Sequence, residues 1–364
     1  MQVTTSAPGR ICLFGEHQDY LGLPVIAMAV NLRFYIEYQP TSGTHYRIRT
    51  PDLPEKERTL DIRAESPAGE DFCWGIARVL LDEGFQLPAG GEFTFHSNIP
   101  VRAGCSSSSA MSAAWLRMLI EIGDHPQKES YLQDPVRCAQ LVYMGEKEMF
   151  QGAGGMMDQY TCYIGGLLHV YPSPDASSPY GVEELPNRPA NILLVDSGDP
   201  KDTQGVLARA GETARRYVQE ARDSIPGFSL PETTLTYYDV FSGGLKDDRA
   251  RLHVRNQIRN RDLCQDALRL FRTGPLAPVV LGNLFREEHE ILAGTVGIST
   301  LKIDAHLGGL RSAGSPGGKI NGSGGGGTFF CVQAADTGKA AEYLEKRGLE
   351  HFEVQCEQGA RRES

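Results

Sequence analysis

Four short segments of this 364-residue chain bring reactive or anion-gripping residue types close together. The first is APGRICLFGEHQDYLG, residues 7–22, where Arg10, Glu16, His17 and Asp19 stand among glycines. Arg10 can face a phosphate, and the other three can exchange hydrogen bonds with sugar hydroxyls. Taken singly, each of these residues is more often a solvated charge. The second segment, residues 100–111, passes from a strand into a helix through Gly104, Cys105 and the serines 106–109. Backbone N–H groups at such a turn can approach an anion at the positive end of a helix, and the hydroxyls can reach phosphate oxygens or Mg²⁺; an ordinary serine-capped helix start fits the segment equally well. The third, residues 152–160, places Asp158 after a glycine turn, between a helix and a strand, where an aspartate is usually a turn or cap residue.

The fourth segment, residues 314–327, holds eight glycines in fourteen positions. Gly322, Gly324 and Gly327 satisfy GxGxxG, but the residues that follow read as a strand, whereas a dinucleotide-binding turn must open a helix. The P-loop pattern fails too, because Ile320 follows Lys319 and the required glycine spacing is absent. A stretch so poor in side chains is entropically costly to order, which points to a place where backbone must approach closely.

These segments need elements to hold them. Residues 25–38, 46–49 and 92–99 are rich in β-branched and aromatic residues or alternate with period two, and predict strands. Residues 71–83 predict a helix with Phe72, Ile76, Val79 and Leu80 on one face, and 107–122 a second, opened by the serine run. Asp134 followed by Pro135 marks the start of a third helix that runs through Leu141, Val142 and Met149. Five prolines between 172 and 189 mark a candidate boundary between lobes. Beyond it, strands are expected at 191–196, 328–333 and 352–356, with helices at 203–223, 247–271, 279–292, 300–312 and 338–347. Helices and strands without strict alternation indicate an α+β protein.

Composition sets outer limits. Apolar residues make up 40% and charged residues 23%, enough to build packed cores, and the length suggests two of them. A net charge of -10 without any basic run argues against nucleic acid as a partner. No stretch is apolar and long enough to serve as a leader or membrane span, so a cytoplasmic protein without a membrane partner is expected. The eight cysteines form no CxxC pair and read as buried free thiols.

Taken in order, the four segments resemble the motif set of the GHMP kinases, named for galactokinase, homoserine kinase, mevalonate kinase and phosphomevalonate kinase. GRICLFGEHQDY is similar to the galactokinase signature, and IPVRAGCSSSSA to the superfamily's phosphate loop. GGMMDQY resembles the aspartate segment of galactokinases and heptose kinases, and GGKINGSGGGG the third motif. VGIST at 296–300, with Asp304 and Leu307, is similar to the helix before that motif. The resemblance implies a two-lobed α+β fold, with an N-terminal ATP-binding lobe of the ribosomal protein S5 domain 2-like type over residues 1–185 and a C-terminal ferredoxin-like lobe over residues 186–364.

Carried onto matching positions, the resemblance implies ATP and Mg²⁺ as cofactors. Asp158 would lie beside the acceptor hydroxyl, and Arg10 beside the γ-phosphate and that carboxylate. Glu16, His17 and Asp19 match positions that hold sugar hydroxyls, and Gly155 one that brings backbone close to the sugar. Ala103, Gly104, Cys105, Ser106, Ser107, Ser108 and Ser109 match the nucleotide loop, joined by Gly324 and Gly325. Mg²⁺ falls to Ser108 and Glu146, although a mevalonate-kinase alignment places Lys147 at that position and Glu148 stands nearby. Cys12 and Gln18 depart from the Asn and Thr that galactokinases usually carry. The implied reaction phosphorylates a monosaccharide, first a galactose-like sugar at its anomeric hydroxyl, with a uronic acid, a heptose phosphate or a mevalonate-type alcohol as alternatives. A sugar sensor without turnover is the rival from another class, and the presence of both Arg10 and Asp158 speaks against it.

Overall fold

The computed structural model describes residues 2–52, 56–66, 69–100, 104–152, 154–174, 179–199, 203–274, 276–333 and 338–364. Val3–Phe14 (β1) and Val25–Pro40 (β2) pair antiparallel along most of their length, and Gly91–Ser97 (β5) adds to the far side of β2. Tyr46–Arg49 (β3) and Glu57–Leu60 (β4) extend that edge, and β3 runs parallel to β5. Leu167–Pro172 (β6) pairs with the start of β2, and Tyr180–Glu184 (β7) pairs with β6.

Phe72–Asp82 (α1), Ser107–Ile122 (α2), Lys128–Gln133 (α3), Pro135–Tyr143 (α4) and Met157–Ile164 (α5) accompany this sheet. Trp115 of α2 is fully buried, with its ring edge-on to Tyr46 and Phe93 and its indole N–H donating to the Cys73 carbonyl at 2.9 Å. Burial of each such large apolar side chain contributes about 1.5–3 kcal/mol. Two helix starts follow the local signals: Asp71 accepts from the amides of Cys73 and Trp74, and Asp134 from that of Arg137 with Pro135 in the first turn.

A second, four-stranded antiparallel sheet is built from Ile192–Asp196 (β8), Gly317–Ile320 (β9), Thr328–Val332 (β10) and His351–Val354 (β11) in the order β11-β8-β10-β9. That is the ferredoxin-like arrangement. Thr203–Ser224 (α6), Leu235–Phe241 (α7) and Asp248–Thr273 (α8) share one apolar cluster that also takes in Leu23. Pro278–Ile291 (α9), Leu301–Ser312 (α10) and Lys339–Glu345 (α11) complete the helices. The chain then returns to the first sheet, where Arg361–Arg362 (β12) pairs with Thr5 and Ser6 of β1. All eight cysteines are free, seven of them buried, as expected. No helix among the described residues is long and apolar enough to cross a membrane.

The structure corrects the reading in four places. Asp158 lies in the first turn of helix α5, not in a turn leading to a strand. The glycine-rich stretch contains a strand, β9, whose four residues are all buried. Helix α7 was not expected. Finally, no serine side chain caps α2: Ser106 occupies the N-cap position with φ 57° and ψ 46°, and its side chain makes no capping hydrogen bond. Its left-handed backbone, uncommon outside glycine, turns the hydroxyl away from the role expected of it.

Candidate active site

The site begins at an irregularity in β1. The register with β2 shifts between Pro8 and Arg10, and a side chain on the intervening Gly9 would put its Cβ 2.7 Å from the Cys105 carbonyl oxygen. The bulge brings β1 against the serine loop, where the Arg10 amide donates to Cys105 O at 3.1 Å. The Arg10 side chain is thereby aimed across the loop. Its Nη1 donates to Gly104 O at 2.6 Å, while Nε and Nη2 reach Asp158 Oδ1 at 2.7 and 2.6 Å.

Asp158 remains 29% exposed, so the paired carboxylate faces a cleft of about 300 Å³. Burial pushes its pKa up, but the Arg10 guanidinium, the Ser106 hydroxyl and Lys147 outweigh that and hold it below the usual value. On the same wall, Gly104 with φ 80° and left-handed Ser106 lead into α2, whose first-turn amides have no acceptor within the helix. Ser106, Ser107 and Ser108 line the cleft with Gly104 and Cys105. Such a constellation of amides, hydroxyls and one guanidinium suits a polyanion.

The opposite wall is the turn after β1. Gly15 takes φ 85° and His17 φ 60°, which lets the chain reverse within a few residues. His17 Nε2 lies 3.1 Å from the Ser323 carbonyl, which can only accept, so that nitrogen carries the proton; Nδ1 lies 3.1 Å from the Tyr20 hydroxyl. Asp19 is pushed up to about 6, first by burial and then by the Asp158 charge. Gly155 packs so tightly on Asp19 that a Cβ there would collide with Oδ2. Glu16 also borders the cleft but is only 2% exposed: Oε2 accepts from Lys319 Nζ at 3.3 Å and from the Gly322 amide at 2.8 Å.

A single π-type turn, Met144–Glu148, follows α4 and delivers Glu146 and Lys147 to the cleft floor. Glu146 is buried; Oε1 accepts from Ser109 Oγ at 3.0 Å and Oε2 makes no hydrogen bond. Burial pushes its carboxyl pKa up. Glu148 is exposed and does not line the cleft.

Arg10, Glu16, His17, Asp19, Gly104, Cys105, Ser106, Ser107, Ser108, Glu146, Gly155 and Asp158 therefore surround one cleft. Three expected site residues do not. Ser109 is buried behind it on Glu146, and Gly324 and Gly325 pack against Ile298 and Val206, where a Cβ would come within 2.5 and 2.6 Å. Ala103 lies outside the described residues.

Residues 71–166 match the model described as the GHMP kinases N terminal domain, and residues 2–40 match the galactokinase galactose-binding signature. The match to the GHMP kinases is thus to an N-terminal domain and a signature segment of this chain. The chain is 27% identical over 343 residues to a mevalonate kinase of Thermococcus gammatolerans, covering 91% of this chain and 89% of the relative. It is 23% identical over 371 residues to a galactokinase of Pasteurella multocida, covering 96% and 91%. In three dimensions it superposes on Lactococcus lactis galactokinase complexed with galactose with a TM-score of 0.81 at 18% identity, over 99% of this chain and 95% of that one. The two-lobed fold of these kinases is thus shared by nearly the whole chain.

Sequence reasoning overlooked three residues that build this site. Asn321 accepts from the Cys12 amide at 3.0 Å and donates to Gly104 O at 3.1 Å, tying β1 to the serine loop. Glu288 of α9 accepts from the amides of Gly15 and Glu16 at 2.9 and 3.0 Å. Lys319 was seen only as a failed P-loop lysine. The available signal was its lone charge in an otherwise uncharged glycine-rich run entering a buried strand.

Proposed function

We propose that this protein transfers the γ-phosphoryl group of ATP to a monosaccharide hydroxyl, and that its first acceptor is a galactose-like sugar phosphorylated at the anomeric position. The observation that carries this reading is the Arg10–Asp158 pair, held between the serine loop on one wall and the His17–Asp19 turn on the other. Residues 104–108 would grip the triphosphate through amides and hydroxyls. Arg10 would face the transferring phosphoryl group while keeping Asp158 ionised, and Asp158 would orient the acceptor hydroxyl and take its proton. Asp19 and His17 would hold further hydroxyls, with the Gly155 backbone beside them.

Mg²⁺ fits the buried Glu146 carboxylate, whose Oε2 makes no hydrogen bond, with the Ser108 hydroxyl at the start of α2 as a second protein oxygen. When bound it would neutralise charge on the phosphates. A second reading, a mevalonate-type alcohol as acceptor, is favoured by the similarity to mevalonate kinases. ADP release measured across a panel of sugars, uronic acids, sugar phosphates, mevalonate and homoserine, each with ATP and Mg²⁺, separates the two. Turnover confined to mevalonate or homoserine would overturn the sugar reading, and absence of ADP release with every acceptor would favour a sensor.

A further inference from the structure

Four carboxyl side chains line the cleft, Glu16, Asp19, Glu146 and Asp158, and among the described residues only Arg10 and Lys147 set a permanent positive charge against them. A polyanion entering beside those carboxylates is repelled unless cations offset the charge. Arg10 has little freedom to do so. Its side chain is 5% exposed and all three of its nitrogens are engaged, Nη1 by Gly104 O and Nε and Nη2 by Asp158 Oδ1. Lys147 is half-buried instead, and it ends in a compact ammonium on a flexible stem that can follow a moving charge.

The backbone below that stem is fixed. The π-type turn Met144–Glu148 sits on α1 main chain against main chain: a Cβ on Gly75 would lie 2.2 Å from Gly145 O, and one on Gly145 would lie 2.9 Å from Ile76 Cα. The Gly152 amide closes the turn by donating to Lys147 O at 2.9 Å. Such turns interrupt α-helices most often at functional sites. Successive helical residues point about 100° apart, so Glu146 goes to the buried floor while Lys147 runs along the glycines that follow. A Cβ on Gly152 would be 3.2 Å from Lys147 Cδ, and one on Gly154, which itself lines the cleft, would be 3.9 Å from Nζ. The ammonium acts on two carboxyls at once. Burial raises the Glu146 pKa and Lys147 is the foremost charge opposing it, while at Asp158 burial is outweighed by Arg10, Ser106 and Lys147. We infer that Lys147 is a further catalytic residue, whose ammonium reaches across the cleft between Glu146 and Asp158 and donates to an equatorial oxygen of the phosphoryl group being transferred. It keeps its proton throughout and acts by offsetting charge.

The turnover arm of the test rests on the proposed function; the binding arm needs nucleotide and Mg²⁺ but no acceptor. Lys147→Met keeps most of the stem and removes the charge, Lys147→Arg keeps the charge, and a half-buried position at the cleft tolerates both. By calorimetry, Lys147→Met is expected to lose roughly tenfold in affinity for a non-hydrolysable ATP analogue, the scale of one charged hydrogen bond, and nothing for ADP, which lacks the γ-phosphate. With the best acceptor of the panel its kcat should fall about a hundredfold, and Lys147→Arg should recover part of both losses. An equal loss of affinity for the two nucleotides would overturn the inference, because it marks a role in holding Glu146 or the serine loop. Unchanged affinity for the analogue, or near-normal turnover, would overturn it as well. A wild type that binds nucleotide yet turns over no sugar would refute the sugar reading and leave the binding arm to decide.

Discussion

Two ion pairs lie along the same N-terminal segment and differ in what their carboxylates face. Arg10–Asp158 has a guanidinium 5% exposed and a carboxylate 29% exposed, so half of the pair is sealed and half looks into the cleft. In Lys319–Glu16 both side chains are almost wholly buried, at 0% and 2%. The Arg10 fork gives Asp158 two short contacts on a single oxygen, Oδ1. The Glu16 carboxylate has instead committed Oε2 to a lysine and a backbone amide. Similar chemistry is therefore used for two ends: an ionised group presented to a ligand, and a charge used as internal scaffolding. Residue type and spacing mark both pairs equally well. Exposure separates them.

The comparison can be broken by mutation, and the largest effect is expected in the sealed pair. Lys319→Met leaves two carboxylates buried without their cation and should cost about 3–5 kcal/mol of stability in urea unfolding; a loss under about 1 kcal/mol would mean that the pair is wetter than it is drawn. In the open pair the loss should appear in turnover. Asp158→Asn is expected to lower kcat at least about a hundredfold with modest change in nucleotide affinity. Near-normal turnover would remove Asp158 from the chemistry.

A smaller effect tests the wall shared by Asp158 and the acceptor turn. Gly155→Ala drives a Cβ into Asp19 and should raise the acceptor KM about tenfold with little change in the KM for ATP. The smallest effect concerns protonation. Asp19 holds its proton up to about 6, so it accepts a hydroxyl hydrogen bond fully only above that pH. Acceptor KM should therefore rise as pH falls through about 6, by a few-fold, and Asp19→Asn should flatten that dependence. A profile identical in wild type and Asp19→Asn would place the titration elsewhere.

Much of this was legible in the chain before folding. The apolar face of Phe72, Ile76, Val79 and Leu80 located α1, Asp134–Pro135 located the start of α4, and the first three segments, with Ser323 of the fourth, lie around one cleft. The misses have physical reasons. Helix α5 spans only eight residues and begins straight after glycines, so a local reading takes Asp158 for a turn residue. Strand β9 opens with Gly317 and Gly318, which carry no side chains and therefore no alternation, although a Cβ at Gly318 would strike the neighbouring strand β10. Gly324 and Gly325 likewise leave room, through their missing side chains, for Ile298 and Val206. The roles of Lys319 and Glu288 depend on contacts across some 300 residues, which no window of sequence displays.

The return of the chain to its first sheet bears on how the protein is made. Arg33 is 2% exposed, and its guanidinium donates to the carbonyls of Gln358 and Gly359, at 2.7 and 2.8 Å, as well as to Ser6 Oγ and Ser6 O. Until residues 358–362 have been made, the strand edge at Thr5 and Ser6 stays open and the buried Arg33 lacks two of its acceptors. Strand β1 is thus completed only by a segment far along the chain, so folding during translation should leave this lobe incomplete until residues 358–362 have emerged.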